Sequence, residues 1–351
     1  MDPVSHVILA RTVVAAFDKP DGSRFGRGVG AAAMLGGLSP DADSVLMPAG
    51  WDIYLRFHEI GTHSLFGALL IGCGAGALIR AFVRGSRNPA NAGSHTHMSN
   101  PAEAGSRISH IGGLAAAASL GAVSHLALDA VSGARLGLAW PIANARATLP
   151  LVAMADPWLI GLLTAGAAGL WLGRRQLPRA AVMVLLAATA FLGIKGLAYA
   201  RVRQTVSNDE RFAAGTARAF DARWGSWSTW NVFEKDPHAL RAWRVNGMTG
   251  TSELVLSWPV QSESADVAAS RSLDTVRNFL SVHDLAFAED QQDQGRRAVL
   301  WSDVRYCSQA VPAAAHIDCA LWFGGILDAD GRPLTQVVRV GEWTQTRPIS
   351  P

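Results

Sequence analysis

Four long apolar runs set the pattern of this chain: Leu65–Val83, Ile108–Val131, Pro157–Leu172 and Ala180–Ala200. Each comes close to the roughly 20 residues a helix needs to cross the hydrocarbon core of a bilayer. Two shorter runs precede them, Val4–Phe17 and Gly28–Leu38. At about 1.5 Å per residue these reach only some 15–20 Å. Between them, Asp18-Lys19-Pro20-Asp21-Gly22-Ser23 has the composition of a turn. A helical hairpin that dips into the membrane and returns is the expected form. After residue 200 the pattern changes. Segments such as Glu253–Trp258 and Ala298–Tyr306 read as strands, and Trp224, Trp227, Trp230, Trp243, Trp258, Trp301 and Trp322 supply aromatic bulk for a core. The expected fold is a mainly α-helical membrane bundle, with a helical hairpin plus about four spanning helices, over residues 1–200. A small, mostly β soluble domain follows over 201–351.

Composition agrees with that division. Of the 351 residues, 49% are hydrophobic and only 17% charged, with a mean hydropathy of +0.17. This is too apolar for an ordinary soluble chain and too mixed for a purely membrane-embedded one. The net charge is only +3, and no basic run is interleaved with aromatics, so nucleic acid is not an expected partner. The start, Met1-Asp2-Pro3-Val4-Ser5-His6, has no positive region and no cleavage site of the signal-peptide kind.

The arginines decide the expected topology. Arg24 and Arg27 lie by the first turn, Arg80, Arg84, Arg87 and Arg107 flank the loop between the first two long runs, and Arg174, Arg175 and Arg179 precede the last. If the chain reverses at each run, these loops share one face, which the positive-inside rule makes cytoplasmic. The opposite face then receives His6, Asp41, Asp43, His58, His63, His125, Asp129 and Asp156, and the second domain emerges there. Cys73 lies in an apolar run and reads as a small hydrophobe. Cys307 and Cys319 are 12 apart and are able to pair in an oxidising compartment.

Acids and histidines beside apolar runs are costly and mark function. His125 and Asp129, at i and i+4 on a helix, share one face and either ligate one metal, with Asp129 able instead to orient His125, or form a polar pair that stabilises helix packing. Asp41 and Asp43 follow Pro40 at the end of an apolar run, with Asp41 the favoured ligand and an Asx turn the plainer alternative. His63 opens a helix with Ser64 as a candidate cap. His58 is a candidate ligand or acid–base group, and Glu59 a candidate general base. His6 is a further ligand candidate, raised by the shared face. Asp156, before Pro157, is as readily a helix cap as a ligand. His95, His97 and His110 fall at the other face and have no assigned role. His238, His283 and His316 read as surface.

In this order the motifs resemble the membrane-bound metal-dependent hydrolases, the YdjM-like inner-membrane family. The resemblance is carried by Met1-Asp2-Pro3 ending at His6, Pro40–Asp43, His58–Ser64, Ser124–Asp129 and Asp156-Pro157, and it extends to Trp301-Ser302-Asp303-Val304-Arg305-Tyr306. Where the family often has Arg-Gly between its first His and the Thr, this chain has Glu59-Ile60-Gly61, and an Arg role there is lost. More distantly the pattern is similar to the zinc-dependent phospholipase C and nuclease group, without a counterpart to that group's late His and Glu ligands. The resemblance implies a hydrolase with one or two Zn²⁺ (or Mn²⁺) ions, bound by residues among His6, Asp41, Asp43, His63, His125, Asp129 and Asp156. Phosphoesters or lipid headgroups at the outer face of the inner membrane are the implied substrates. Two other classes compete: a metal- or proton-handling membrane protein, and a non-catalytic membrane protein that binds partners.

Overall fold

The computed structural model describes residues 2–18, 28–85, 101–143, 145–146, 148–172, 177–212, 216–260, 264–293, 296–307 and 318–349. Most of the turn at residues 18–23, together with Arg24, Arg27, Arg87, His95, His97, Arg174, Arg175 and His316, lies outside the described residues. The chain divides into two compact units. One comprises Met1–Ala42 with Glu59–Gly196, the other Asp43–His58 with Leu197–Pro351.

The first unit is helical. Helices α1 (Pro3–Phe17) and α2 (Val29–Leu38) come first, and a 3-10 helix (Ser39–Ala49) and the short α3 (Trp51–Phe57) lead out of the unit. The chain returns through α4 (Leu65–Gly85), α5 (Pro101–Val131), α6 (Pro157–Leu172) and α7 (Leu177–Asn208). The start of α1 follows from Asp2-Pro3. Asp2 Oδ1 accepts the Ser5 N–H at 2.8 Å, and Pro3 takes the first helical position, where its missing N–H costs nothing. That cap puts His6 on the first turn. Helix α5 is the hub and packs on α1, α2 and α4.

Small residues let these backbones close up, as is common between helices in lipid. A Cβ on Gly36 would stand 2.0 Å from the Ala118 carbonyl oxygen, and one on Gly121 would stand 2.2 Å from that of Ala33. Large side chains point outward instead: Phe66, Leu70, Leu78 and Phe82 on α4, and Met183, Leu186 and Ile194 on α7, are exposed. A surface of this kind is suited to lipid. Among the described residues three helices are long and apolar enough to cross a membrane, over Leu65–Phe82, Gly112–Val131 and Pro178–Asn208. Helix α6, the fourth expected span, has 16 residues, which is about 24 Å.

The second unit is mostly β. Strands β1 (Ala217–Ala222), β2 (Thr229–Lys235), β3 (Ala239–Asn246) and β4 (Ser252–Pro259) form one antiparallel meander. Short helices α8 (Ala265–Ser270) and α9 (Asp274–Leu280) lead to a second meander of β5 (Ala286–Asp293), β6 (Arg296–Asp303), β7 (Leu321–Leu327), β8 (Pro333–Val340) and β9 (Trp343–Pro348). Trp230, Trp243, Trp301 and Trp322 are buried, while Trp224 and Trp227 are exposed. Val202 and Val206, on the last turns of α7, pack with Trp230 and Trp243. His283, expected at the surface, is buried. It stacks on Phe279, and its Nε2 lies 2.8 Å from the Tyr306 hydroxyl. The partner ring is 23 positions away, beyond what local patterning reads.

Cys307 and Cys319 are joined in a disulfide. Closing a loop of this size limits the unfolded chain by about 3 kcal/mol. Cys307→Ser paired with Cys319→Ser is therefore expected to lower the stability of the second unit by 2–3 kcal/mol, or about that, in chemical unfolding. An unchanged midpoint would show that the bridge does not form in the protein.

Candidate metal centre

Five candidate ligands of the first unit come together. His6 arrives from the first turn of α1. Asp41 follows the end of α2. His63 stands where a π turn (His58–Thr62) gives way to α4, held by Ser64, whose Oγ accepts the Gly67 N–H at 2.9 Å. His125 and Asp129 share a face of α5. His6, His63, His125 and Asp129 are buried, whereas the Asp41 side chain is 35% exposed and forms the open edge.

The donor atoms converge on one point. His63 Nε2 lies 3.0 Å from His125 Nε2. Asp129 Oδ2 is 3.3 Å from His63 Nε2 and 3.0 Å from His125 Nε2. Asp41 Oδ1 is 3.5 Å from each of the same two nitrogens. Four donors around one Zn²⁺ at about 2.0–2.1 Å would be about 3.3–3.4 Å apart in a tetrahedron. Five of the six edges are thus within 0.5 Å, or about that, of the required length. Two imidazole nitrogens with two carboxylate oxygens are also a donor set suited to zinc or manganese.

The surroundings fix the tautomer. His125 Nδ1 lies 2.7 Å from the Gly37 carbonyl oxygen. A carbonyl only accepts, so Nδ1 carries the hydrogen, and in the neutral ring the Nε2 lone pair points inward. The close approach of α2 and α5 at Gly36 and Gly121 brings that carbonyl within reach. His63 Nδ1 lies 3.1 Å from Thr62 Oγ1. Burial opposes a charge on His63, but hydrogen bonds to Asp129 and Asp41 outweigh it and raise its pKa to about 9. The carboxylates therefore favour positive charge at this point. His6 stacks on His125 with centroids 3.7 Å apart, and its Nε2 is 3.3 Å from Asp129 Oδ1, the oxygen turned away from the other donors. His6 Nδ1 has no hydrogen bond among the described residues, and Nε2 faces the Asp129 carboxylate. A buried imidazole held this way is able to serve as a further metal ligand.

The model of the family described as "YdjM inner membrane protein" matches residues 1–202, more than half of the chain. The chain belongs to the YdjM inner membrane protein family. No curated protein and no solved structure matches it significantly.

The YdjM match holds all the motifs of the helical unit and ends before Trp301–Tyr306, to which the resemblance was expected to extend. That run has local structural work instead. Trp301 Nε1 donates to Ser270 Oγ at 2.9 Å, Ser302 Oγ donates to the Leu321 carbonyl at 2.6 Å, and Asp303 accepts two hydrogen bonds from the Arg305 guanidinium at 2.8 Å each.

Asp43 and His58 fall in the second unit, where His58 Nδ1 is 3.2 Å from both Asp43 carboxylate oxygens. The Glu59 side chain lies outside the described residues. Asp156 caps α6, its Oδ1 accepting the Trp158 and Leu159 N–H groups at 3.0 and 3.1 Å. Its Oδ2 lies 3.8 Å from Lys195 Nζ, with both side chains fully buried. Pairing with Asp156 puts Lys195 at the end of the bundle where α6 starts. Sequence reasoning missed the Gly37 carbonyl, since backbone acceptors leave no residue-type signal.

Proposed function

We propose that this membrane protein is a metal-dependent hydrolase acting on phosphoesters or lipid headgroups at the outer face of the inner membrane. The observation that carries the reading is the approach of two carboxylates, Asp129 and Asp41, to the same two buried imidazole nitrogens of His63 and His125, each within 3.5 Å. A divalent ion in such a site supplies an acidified water and charge stabilisation at a phosphoryl oxygen. The protein residues hold and orient. Asp129 spans the site, with Oδ2 toward His63 and His125 and Oδ1 toward His6. Gly37 aims His125. Asp41, at the open edge, lies where a headgroup is able to enter while acyl chains stay in lipid. His58, its ring oriented by Asp43, and Glu59 are the proposed acid–base residues. The extracytoplasmic assignment is supported by the arginine pattern and by the disulfide, which persists in oxidising compartments.

The test is hydrolysis of a chromogenic phosphodiester and of a short-chain phospholipid by detergent-purified protein loaded with zinc or manganese. His125→Ala is expected to lose about a hundredfold or more in rate, with membrane insertion intact. His58→Gln is expected to fall by the 10²–10⁴-fold, or about that, typical of a general acid–base group. Full activity in His125→Ala would overturn the reading.

A further inference from the structure

The second unit includes α7 from Leu197 onward, and its first meander is laid against that part of the helix. Tyr199 of α7 meets Phe220 of β1 and Trp230 of β2, with ring centroids 5.7 and 5.8 Å apart. Val202 and Val206 share a core cluster with Trp230, Trp243 and Val245. Farther on, Asp209 Oδ2 accepts from Ser252 Oγ of β4 at 3.0 Å. The strands therefore step along the helix in sheet order, from β1 beside Tyr199 to β4 beside Asp209. Those ten positions rise about 15 Å, which matches three inter-strand steps of about 4.8 Å. The β3–β4 turn follows the same line. A Cβ on Gly247 would stand 2.2 Å from the Ala198 carbonyl oxygen, and one on Gly250 would stand 3.8 Å from Thr205 Oγ1. The Gly247 N–H donates to the Ser228 carbonyl at 2.7 Å. The β1–β2 turn thus lies beside Gly247, on the side toward the start of the helix.

That side is the apolar one. The apolar run of α7 closes at Ala200 and is followed by Arg201 and Arg203, both exposed, while Leu197, one turn earlier, is 73% exposed. Ala198 is three positions before Arg201, about 4.5 Å along the helix. A headgroup layer is about 5–7 Å thick on each side of the hydrocarbon, so Ala198 falls at its depth. The turn that reaches this level carries Trp224 and Trp227, 69% and 43% exposed, and the turn beside it carries Met248, 70% exposed. Indole rings, apolar with one polar N–H, settle at this depth. Arg201, Arg203 and the exposed Arg223 supply charged heads for lipid phosphates. We propose that the β1–β2 hairpin, with Met248 of the neighbouring turn, is a membrane anchor whose Trp224 and Trp227 insert into the headgroup layer that α7 crosses. Lipid is the occupant because the patch continues the exposed apolar surface of a candidate spanning helix, Pro178–Asn208. Leu254, on β4 at the other edge of the sheet and 46% exposed, then stands in water.

The test is the depth of nitroxide labels on the full-length protein in nanodiscs of phosphatidylethanolamine and phosphatidylglycerol. The background is Cys73→Ser with the Cys307–Cys319 bridge intact. Labels are placed through Trp224→Cys, Met248→Cys or Leu254→Cys, one at a time. Power saturation reads the access of each label to dissolved oxygen, which concentrates in lipid, and to a nickel chelate, which stays in water. The oxygen-to-nickel ratio at positions 224 and 248 is expected to exceed that at 254 severalfold. Adding Trp224→Ser and Trp227→Ser to the Met248→Cys protein is expected to lower its ratio toward the value at 254. The Met248→Cys label with both tryptophans in place carries the test if the serine variants fail to fold. Ratios at 224 and 248 equal to that at 254 would overturn the anchor. Labels shielded from both probes, with dipolar broadening of their spectra, would show a second copy seated on the patch and would overturn lipid as its occupant.

Discussion

Purified wild-type protein reconstituted with zinc is expected to retain about one equivalent per chain, and His63→Ala, His125→Ala and Asp129→Asn to retain almost none. Each of these residues is buried and supplies at least two of the five measured edges of the donor set. Removing one leaves a gap that water reaches poorly, so the loss is expected to exceed a hundredfold, about 2.7 kcal/mol or more. Asp41→Asn is expected to lose less, because that side chain is 35% exposed and water is able to replace the missing oxygen. His6→Ala separates two stoichiometries. His6 faces Asp129 Oδ1 at 3.3 Å, away from the other donors, so the first equivalent is expected to survive its removal and any second to disappear. Plasma mass spectrometry after gel filtration gives the count. Thermal unfolding gives an independent check, since zinc at a hundred times its dissociation constant stabilises the bound state by about 2.7 kcal/mol. Wild type with no retained metal and no thermal shift would remove the centre from the account.

What the sequence made legible was local. The apolar runs gave helix positions because burial in lipid needs only length and composition. Asp156-Pro157 was readable as a helix start, beside its reading as a ligand, because a cap is settled within three residues. His125 and Asp129 share a face because a helix turns every 3.6 residues, and their atoms do meet at 3.0 Å. The segment Asp43–His58, which belongs to the second unit, is different. Asp52 carries no local sign that its partner is Arg347, 295 positions later, and nothing in the run from Asp41 to His63 marks a change of unit at Asp43. The Asp156–Lys195 pairing is hidden for the same reason, since it joins two helices whose facing is set by packing.

That pair yields the largest expected change in stability. Lys195→Met leaves the fully buried Asp156 carboxylate without the counter-charge 3.8 Å away, and removing one partner of a buried ion pair costs about 3–5 kcal/mol. Asp156 Oδ2 has no hydrogen bond among the described residues to soften the loss. Asp156→Asn is expected to be milder. The amide oxygen continues to accept the Trp158 and Leu159 N–H groups, so the cap of α6 survives, while Lys195 loses its carboxylate. The double variant removes both charges together and is expected to recover most of the stability, because a neutral buried pair incurs no ionic desolvation. The coupling read from the four-membered cycle is therefore expected to be positive and up to about 3 kcal/mol, measured by denaturant unfolding of detergent-purified protein. Additive losses would show that the two charges do not face each other, and would return Asp156 to the set of open metal-ligand candidates.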